Sequence, residues 1–130
     1  MALHVYNLFN AILFTDEEYE GYAYLKFVSD IRSAERSGFH PVGCNSSDSV
    51  TYHEIGHLID FSIGLSKNPE FLRYYNSIPT YEKKRGLSEY ALTNEAEFVA
   101  EAFAEAMCNP TPRPIARQVM RYMDDLYAKF

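Results

Sequence analysis

The spacing of apolar residues predicts a chain built mostly of helices. From about residue 16 onward, apolar side chains recur every three or four positions over several stretches, which is the spacing of one helix face. Capping residues mark the boundaries: Thr15 and Glu18 have capping-box spacing, Gly64 is a C-cap, and Asn68 precedes Pro69 as an N-cap. The predicted helices span residues 16–37, 47–63, a short stretch from 69, 93–107 with Thr93 as its cap, and 115–130.

Two regions depart from this pattern. Residues 3–14 are rich in Val, Tyr, Phe, Leu and Ile and predict one or two strands, although a helix stays open for so short an apolar run. Residues 78–90 predict mostly loop with at most one turn. The expected fold is therefore α+β and mostly helical, a single domain over residues 1–130 with a small amino-terminal β element. That the domain is a fragment of a longer protein also stays open.

The stretch TYHEIGHLIDF, residues 51–61, holds the first candidate chemistry. His53 and His57 stand four apart on a predicted helix, so both imidazoles lie on one face and can reach one zinc ion at ~2.0–2.1 Å. Glu54 lies about 100° around the helix from His53, where it can flank the ion rather than bind it. There it can accept a proton from a water molecule on the zinc. The pattern H-E-x-x-H therefore predicts a zinc site with peptidase chemistry.

The same helix predicts how the site faces the rest of the protein. The face expected in the core carries the apolar side chains, which are Tyr52, Ile55, Leu58, Ile59 and Ile63. His53, His57 and Asp60 mark a polar face that we expect to line a cleft. Gly56 costs a helix up to ~1 kcal/mol relative to alanine, and close approach of another backbone would offset that cost.

A catalytic zinc needs a third protein ligand and an open position for water. No histidine follows in LIDFSIGLS, and His4 and His40 lie outside any standard spacing. Asp60, one turn past His57, stays open as a ligand, although a third ligand on the same helix would strain tetrahedral geometry. The acidic helix NEAEFVAEAFAEA is the better source.

In that helix Glu97, Glu101 and Glu105 form one i, i+4 stripe, and Glu95 falls outside it. A solvated acidic face is the ordinary interpretation of such a run. Apolar residues between the glutamates instead indicate a packed helix, and a row of like charges favours a nearby cation. Glu97 as zinc ligand, with Glu101 as hydrogen-bond acceptor for a ligating histidine, accounts for the stripe.

Composition excludes several other functions. The net charge of −6 argues against non-specific nucleic-acid binding, which needs a basic face. No stretch approaches the ~18 apolar residues of a membrane span, and the apolar amino terminus lacks the basic residues of a signal peptide. We therefore expect no nucleic-acid and no membrane partner, and the location stays open among bacterial cytoplasm, phage particle and delivered effector. Cys44 and Cys108 predict two unpaired thiols.

At these motifs the chain resembles a known family. HEIGH followed by NEAEFVAEAF is similar to the metallopeptidase domain of the anthrax lethal factor family. Its members are gluzincins, in which two histidines and a downstream glutamate bind zinc. The resemblance implies a minimal zincin-like fold with His53, His57 and Glu97 as zinc ligands and Glu54 as general base. It also implies that Tyr90, in SEYALTNEAEF, stabilises the oxyanion of the reaction.

The resemblance covers roughly residues 45–105. The loop FHPVGCNSSDSV ahead of HEIGH is also similar to phage Mu-type head-morphogenesis proteins, whose carboxy-terminal regions often carry toxin or peptidase domains. The chain is much shorter than lethal factor and shows no docking or translocation domain. Substrate specificity therefore does not carry over from the family.

The sequence predicts a zinc-dependent endopeptidase that binds one Zn²⁺ per chain and hydrolyses a peptide or protein through a water on the zinc activated by Glu54. Two other classes stay open: a non-catalytic, zinc-stabilised structural or assembly module of a phage particle, and an immunity or effector domain that binds a partner through its cleft. A structural site needs neither Glu54 nor Tyr90 and usually has four protein ligands, which favours catalysis.

Overall fold

The computed structural model describes residues 17–130, with side chains from residue 23 onward. The α-helices of this part of the chain are α1 (Glu17–Arg36), α2 (Ser47–Ile63), α3 (Pro69–Ser77), α4 (Thr80–Gly86), α5 (Glu95–Cys108) and α6 (Pro114–Tyr127). Short 3-10 turns at Leu65–Lys67 and Tyr90–Leu92 precede α3 and α5. The mostly helical prediction is confirmed for these residues, and the strands expected over 3–14 lie outside them. None of the described helices is long and apolar enough to cross a lipid bilayer.

The boundary between α2 and α3 falls at the predicted capping residues. Gly64 has a left-handed φ of 71°, and its N–H donates to the Asp60 carbonyl at 2.7 Å, which ends α2. The Asn68 side chain accepts hydrogen bonds from two N–H groups in the first turn of α3, and Pro69 occupies the first helical position. Both predicted caps are confirmed, and they fix the direction in which the chain leaves α2.

The prediction of mostly loop over residues 78–90 is wrong for Thr80–Gly86, which form α4. The segment YEKKR consists largely of good helix formers, but it has few apolar positions and therefore no visible period. Its three basic residues lie in the last turn, where positive charge is favourable to the helix dipole. The chain then buries Leu87 and Ser88 before it reaches the second 3-10 turn.

The central helix of the domain is α5. It packs against both α2 and α6, and every residue from Glu97 to Glu105 is buried. The apolar core around it includes Leu65, Phe71, Leu87, Phe98, Val99, Ala102, Val119 and Met123. A helix buried on all sides is ordinarily apolar throughout, so the glutamates of α5 need partners inside the protein. A solvated acidic face is thereby excluded for this stripe.

The face that α2 turns toward α5 is the one with the histidines, so the predicted orientation of this helix is wrong in part. The buried residues of α2 are Ser49, His53, Gly56, His57, Asp60 and Ile63. Ile55 and Leu58, expected in the core, are 36% and 63% exposed, whereas Ile63 is buried in the core and Tyr52 and Ile59 contact it at its edge, as predicted. Apolar character alone does not decide which face is buried. A polar face can be buried when its polar groups are paired, and α5 supplies the partners of His53 and His57.

Gly56 allows the two helices to approach closely, and this prediction is confirmed. A Cβ atom at this position would lie 3.0 Å from the Cβ of Phe103 and 3.1 Å from the Cα of Ala100. Those atoms belong to the rigid part of α5, so neither can move aside without moving the helix. The missing side chain of Gly56 therefore sets the distance between α2 and α5.

The loop between α1 and α2 is fastened to the end of α5. A Cβ at Gly43 would lie 2.9 Å from the Cα of Asn109, so the two backbones are in contact there. Cys44 and Cys108 are free thiols, as predicted, and hydrogen-bond to each other. That hydrogen bond and burial raise the pKa of Cys44 above its usual range. This attachment holds His40, in the same loop, over the middle of α5.

Replacing Gly56 with alanine tests the helix contact. Although alanine favours a helix by up to ~1 kcal/mol, we expect Gly56→Ala to lower the free energy of unfolding by about 1–3 kcal/mol, the usual cost of overpacking. Urea unfolding followed by circular dichroism measures this. Thr51→Ala, at an exposed position of the same helix, should change stability by less than about 0.5 kcal/mol. A Gly56→Ala protein as stable as the wild type would contradict the close packing.

Candidate metal centre

Two helices direct the candidate ligands to one point. His53 and His57 lie one turn apart on the buried face of α2, and Glu97 lies in the first turn of α5. The N-cap of α5 is Asn94, not Thr93 as predicted, because the Asn94 side-chain oxygen accepts a hydrogen bond from the Glu97 N–H at 2.8 Å. This cap fixes the backbone from which the Glu97 side chain extends. The helix N-terminus also stabilises its negative charge.

The ligand atoms of these three residues converge. The Nε2 atoms of His53 and His57 are 3.1 Å apart. The Glu97 carboxylate lies 3.2 Å from His53 Nε2 through one oxygen and 2.6 Å from His57 Nε2 through the other. Each residue is only 6% exposed. Among the His, Cys, Asp and Glu side chains of the described residues, these three lie close enough together to hold a metal ion.

The arrangement is compatible with a tetrahedral zinc ion. Ligand atoms at ~2.0–2.1 Å from such an ion are roughly 3.3 Å from one another. The two Nε2 atoms, 3.1 Å apart, and His53 Nε2 with Glu97 Oε2, 3.2 Å apart, are close to that spacing. The contact between His57 Nε2 and the other carboxylate oxygen, Oε1, is shorter, at 2.6 Å. Two imidazole nitrogens and one carboxylate are also the ligand set of two-histidine, one-glutamate catalytic sites, which leave one position open. The residues present therefore fit a zinc ion.

The charges at the centre reinforce one another. Burial lowers the pKa of His53, but its hydrogen bonds with Glu101 and Glu97 outweigh this and raise the pKa to about 9. Burial likewise raises the pKa of Glu97, while its hydrogen bonds with His53 and His57 lower it far below the usual range. Glu97 is therefore a carboxylate at neutral pH, which is the form that binds a cation, whereas His53 must release a proton when it binds one.

Glu101 lies behind His53, where the sequence predicts an acceptor for a ligating histidine. His53 Nδ1 donates to Glu101 Oε2 at 3.0 Å. Because Nδ1 makes this hydrogen bond, the ring turns its Nε2 toward His57 and Glu97. Carboxylates commonly orient metal-binding histidines in this way. Glu101 is 1% exposed, and its hydrogen bonds with histidine lower its pKa against the opposing effect of burial.

The second oxygen of Glu101 has two partners that the sequence analysis did not predict. His40 Nδ1 donates to Oε1 at 2.8 Å, and the Ser88 hydroxyl donates to the same oxygen at 2.9 Å. Neither residue has a fixed spacing from the HEIGH motif, so the sequence gives no signal for either. Both come from loops that the fold brings over α5.

Glu54 and Tyr90 flank the ligands. Glu54 Oε1 is buried without a hydrogen-bond partner among the described residues, and burial raises the pKa of its carboxyl. The Tyr90 hydroxyl hydrogen-bonds with Glu97, and burial together with that carboxylate raises the pKa of Tyr90 to about 12. The Tyr90 ring lies 5.8 Å from the ring of His53. All the predicted site residues thus lie in one cluster: His53, Glu54, His57, Tyr90, Glu97 and Glu101.

A cavity of about 250 Å³ opens beside this cluster. His53 and Glu54 form part of its wall. Most of the remaining wall is apolar and comes from α1, α2, α5 and the loop after α1, through Phe27, Ile31, Ala34, Phe39, Val50 and Ala104. The cavity can therefore accept an apolar group whose attachment point lies next to Glu54.

The other acidic candidates have different roles. Asp60 Oδ1 accepts the Ser66 N–H at 2.7 Å and so closes the turn after α2. Glu95 begins α5 and lies outside the ligand cluster. Glu105, fully buried, pairs with Arg113, whose guanidinium also donates to the carbonyl of Leu87 at 2.7 Å. The glutamate stripe thus divides into a candidate ligand, an acceptor for histidines and a structural ion pair.

Comparison of the chain with protein-family models, with curated proteins and with solved structures gives no match. The resemblance to gluzincins consequently stays an expectation from the motifs, and the functional argument depends on the geometry of the cluster.

Glu105→Gln should separate the structural role of the stripe from metal binding. It breaks a buried ion pair, and we expect a loss of about 3 kcal/mol, at the lower end for such pairs because the Arg113 side chain is 27% exposed. Metal binding by the folded protein should be unchanged. Urea unfolding and zinc titration measure the two effects, with the Glu89→Gln change at an exposed position as control. Unchanged stability, or lost zinc binding in folded protein, would contradict this division of roles.

Proposed function

We propose that the protein is a zinc-dependent endopeptidase of the gluzincin type. The observation that carries the proposal is the convergence of two imidazole nitrogens and one carboxylate, from His53, His57 and Glu97, within 4.8 Å of one another. Beside them, Glu54 and Tyr90 supply an acid–base group and a hydrogen-bond donor, the two further groups that peptide hydrolysis requires. The proposed substrate is a peptide or protein.

Each side chain has its own role in the proposed reaction. A zinc ion held by the three ligands would polarise the peptide carbonyl and lower the pKa of the attacking water. Glu54 accepts a proton from that water through Oε1, and its raised pKa makes the carboxylate a stronger base for this step. The protonated Glu54 then delivers the proton to the leaving amine. Tyr90, whose pKa is about 12, stays protonated at neutral pH and donates a hydrogen bond to the carbonyl oxygen as negative charge builds there.

The apolar cavity beside Glu54 supports a peptide as the substrate. Its volume of about 250 Å³ suits one amino-acid side chain, and its described wall includes no lysine or arginine, the residues that typically bind a phosphate or nucleotide. A substrate residue seated there would bring its own peptide bond next to Glu54. We therefore expect peptides with a large apolar residue at the cleaved bond to react faster than peptides with a charged residue there.

A purely structural zinc site is the competing function, and two observations argue against it. Among the described residues, the cluster offers three protein ligands, whereas closed structural sites usually have four. The buried oxygen of Glu54 has no partner among the described residues, and such an atom costs stability without any structural return. A partner-binding domain would likewise gain nothing from Glu54. Both observations are expected if the site performs hydrolysis.

The role of Glu54 is tested by Glu54→Gln. An amide cannot accept the proton from the attacking water, so we expect cleavage of a mixed peptide library to fall by 10²-fold or more, a typical order of magnitude for general-base catalysis. Zinc content should stay at one ion per chain. Glu89→Gln, which removes an exposed carboxylate, should retain full activity. Wild-type cleavage by Glu54→Gln would exclude Glu54 from the reaction, and a wild-type protein that binds zinc but cleaves nothing would favour the structural alternative.

Tyr90→Phe tests the proposed oxyanion donor. This change keeps the ring and removes the hydroxyl, so kcat should drop about 10²-fold while KM and zinc affinity change little. Steady-state kinetics on one cleaved peptide, with zinc titration beside them, provide the measurement. Tyr127→Phe is the control, since Tyr127 is 67% exposed at the end of α6. An unchanged kcat for Tyr90→Phe would show that the tyrosine serves packing only.

A further inference from the structure

His40 contacts the metal centre without being a candidate ligand. Its Nδ1 donates to Glu101 Oε1 at 2.8 Å, while the other oxygen of Glu101 accepts from His53 Nδ1 at 3.0 Å. The Glu101 carboxylate therefore bridges two histidines, one from the loop after α1 and one from α2. Of the three hydrogen bonds that described residues donate to this carboxylate, the one from His40 is the shortest.

The bridge restricts how Glu101 can move. A glutamate side chain has several rotamers, and a carboxylate held at one oxygen alone can still turn about its last bond. His40 and Ser88 both donate to Oε1, so the carboxylate plane is fixed, with Oε2 directed at His53. The orientation of the His53 ring, and hence of its Nε2, follows from that plane.

The loop that carries His40 is itself held in place. The His40 N–H donates to the Ala34 carbonyl at 3.1 Å, and the Tyr90 N–H donates to the Phe39 carbonyl at 3.0 Å. The ring of His40 also lies 5.4 Å from the ring of Tyr90. His40 thus reaches Glu101 from a fixed backbone, and it can act as a rigid support for the carboxylate.

We infer that His40 is a positioning residue of the metal centre: through Glu101 it holds the His53 imidazole in the orientation that binds the metal. This inference rests on the proposed function, because it requires that His53 be a ligand. It assigns His40 no contact with substrate. The consequence is measurable as metal affinity, independently of any peptide cleavage.

Two variants separate the hydrogen bond of His40 from the packing of its ring. His40→Phe keeps a ring against Tyr90 and removes the Nδ1 donor. His40→Asn removes the ring and keeps an N–H donor close to the place of Nδ1, because the asparagine amide branches at the same atom as the imidazole. A residue that serves only packing would tolerate phenylalanine better than asparagine, whereas a positioning residue would show the reverse order.

The test is the zinc dissociation constant of each protein, measured by competition with a chromogenic chelator. We expect His40→Phe to bind zinc roughly tenfold more weakly than the wild type, and His40→Asn to stay within about threefold, on the scale known for residues that support metal ligands. His40→Ala, measured alongside, should match His40→Phe and keeps the test available if phenylalanine does not fold. Thermal unfolding of the metal-free proteins verifies folding.

The outcomes distinguish this inference from the function on which it rests. If the wild type binds zinc and His40→Phe binds it equally tightly, or if His40→Asn is as weak as His40→Phe, the positioning role is overturned and the zinc site stands. If the folded wild type binds no zinc at all, the proposed function fails, and the inference fails with it. If His40→Asn binds zinc nearly as tightly as the wild type and His40→Phe binds it more weakly, the inference is supported.

Discussion

The contact between α2 and α5 at Gly56 is the constraint on which the rest of the site depends. With no side chain at that position, the histidine face of α2 lies directly against the glutamate stripe of α5. Buried imidazoles and carboxylates cost several kcal/mol each unless they are paired. The close contact provides the pairing, because it brings His53 and His57 within 3.2 Å of the Glu97 carboxylate. A wider helix separation would leave the same groups buried and without partners.

The glutamates of α5 show how such a stripe can be buried. They lie one turn apart along one side of the helix, so each meets different neighbouring residues. Glu97 faces the histidines, Glu101 is bound by His40, His53 and Ser88, and Glu105 by Arg113. Breaking one pair would leave a buried charge, which makes the stripe intolerant of change.

Arg113, at the end of the stripe, has a second structural role besides its pair with Glu105. Arg113 donates to the carbonyls of Arg85 and Leu87 as well as to Glu105. Leu87 directly precedes Ser88, and the 3-10 turn that contains Tyr90 follows. Through these two carbonyls, Arg113 holds the segment that leads to Ser88 and Tyr90. These hydrogen bonds come from the guanidinium itself and do not depend on Glu105.

Local features of this protein could be predicted from sequence, and features set by packing could not. The caps at Gly64 and Asn68 and the helix around HEIGH depend on neighbouring residues, and the structure confirms them. The close approach at Gly56 is a contact with a distant helix, but a glycine inside a helix is itself a local sign of it, and it is also confirmed. That Glu97 and Glu101 would pair with the histidines of α2 could be predicted from the i, i+4 spacing of the glutamates and from the ligands that zinc prefers. The burial of the histidine face of α2 depends on a partner helix roughly 40 residues further along the chain, so the apolar pattern placed Ile63 correctly but not Ile55 and Leu58. His40 and Ser88 have no motif, and α4 has too few apolar residues to show a period.

X-ray absorption at the zinc edge of the wild-type protein loaded with one equivalent of zinc tests the account most directly. The account predicts nitrogen and oxygen neighbours at ~2.0–2.1 Å, with the outer scattering of two imidazoles. The same spectrum from His57→Ala should lose one imidazole or all specific zinc. A sulfur shell at ~2.3 Å would contradict the account, since it would place the ion at the Cys44 and Cys108 thiols. Failure of the folded wild type to retain zinc would contradict it equally.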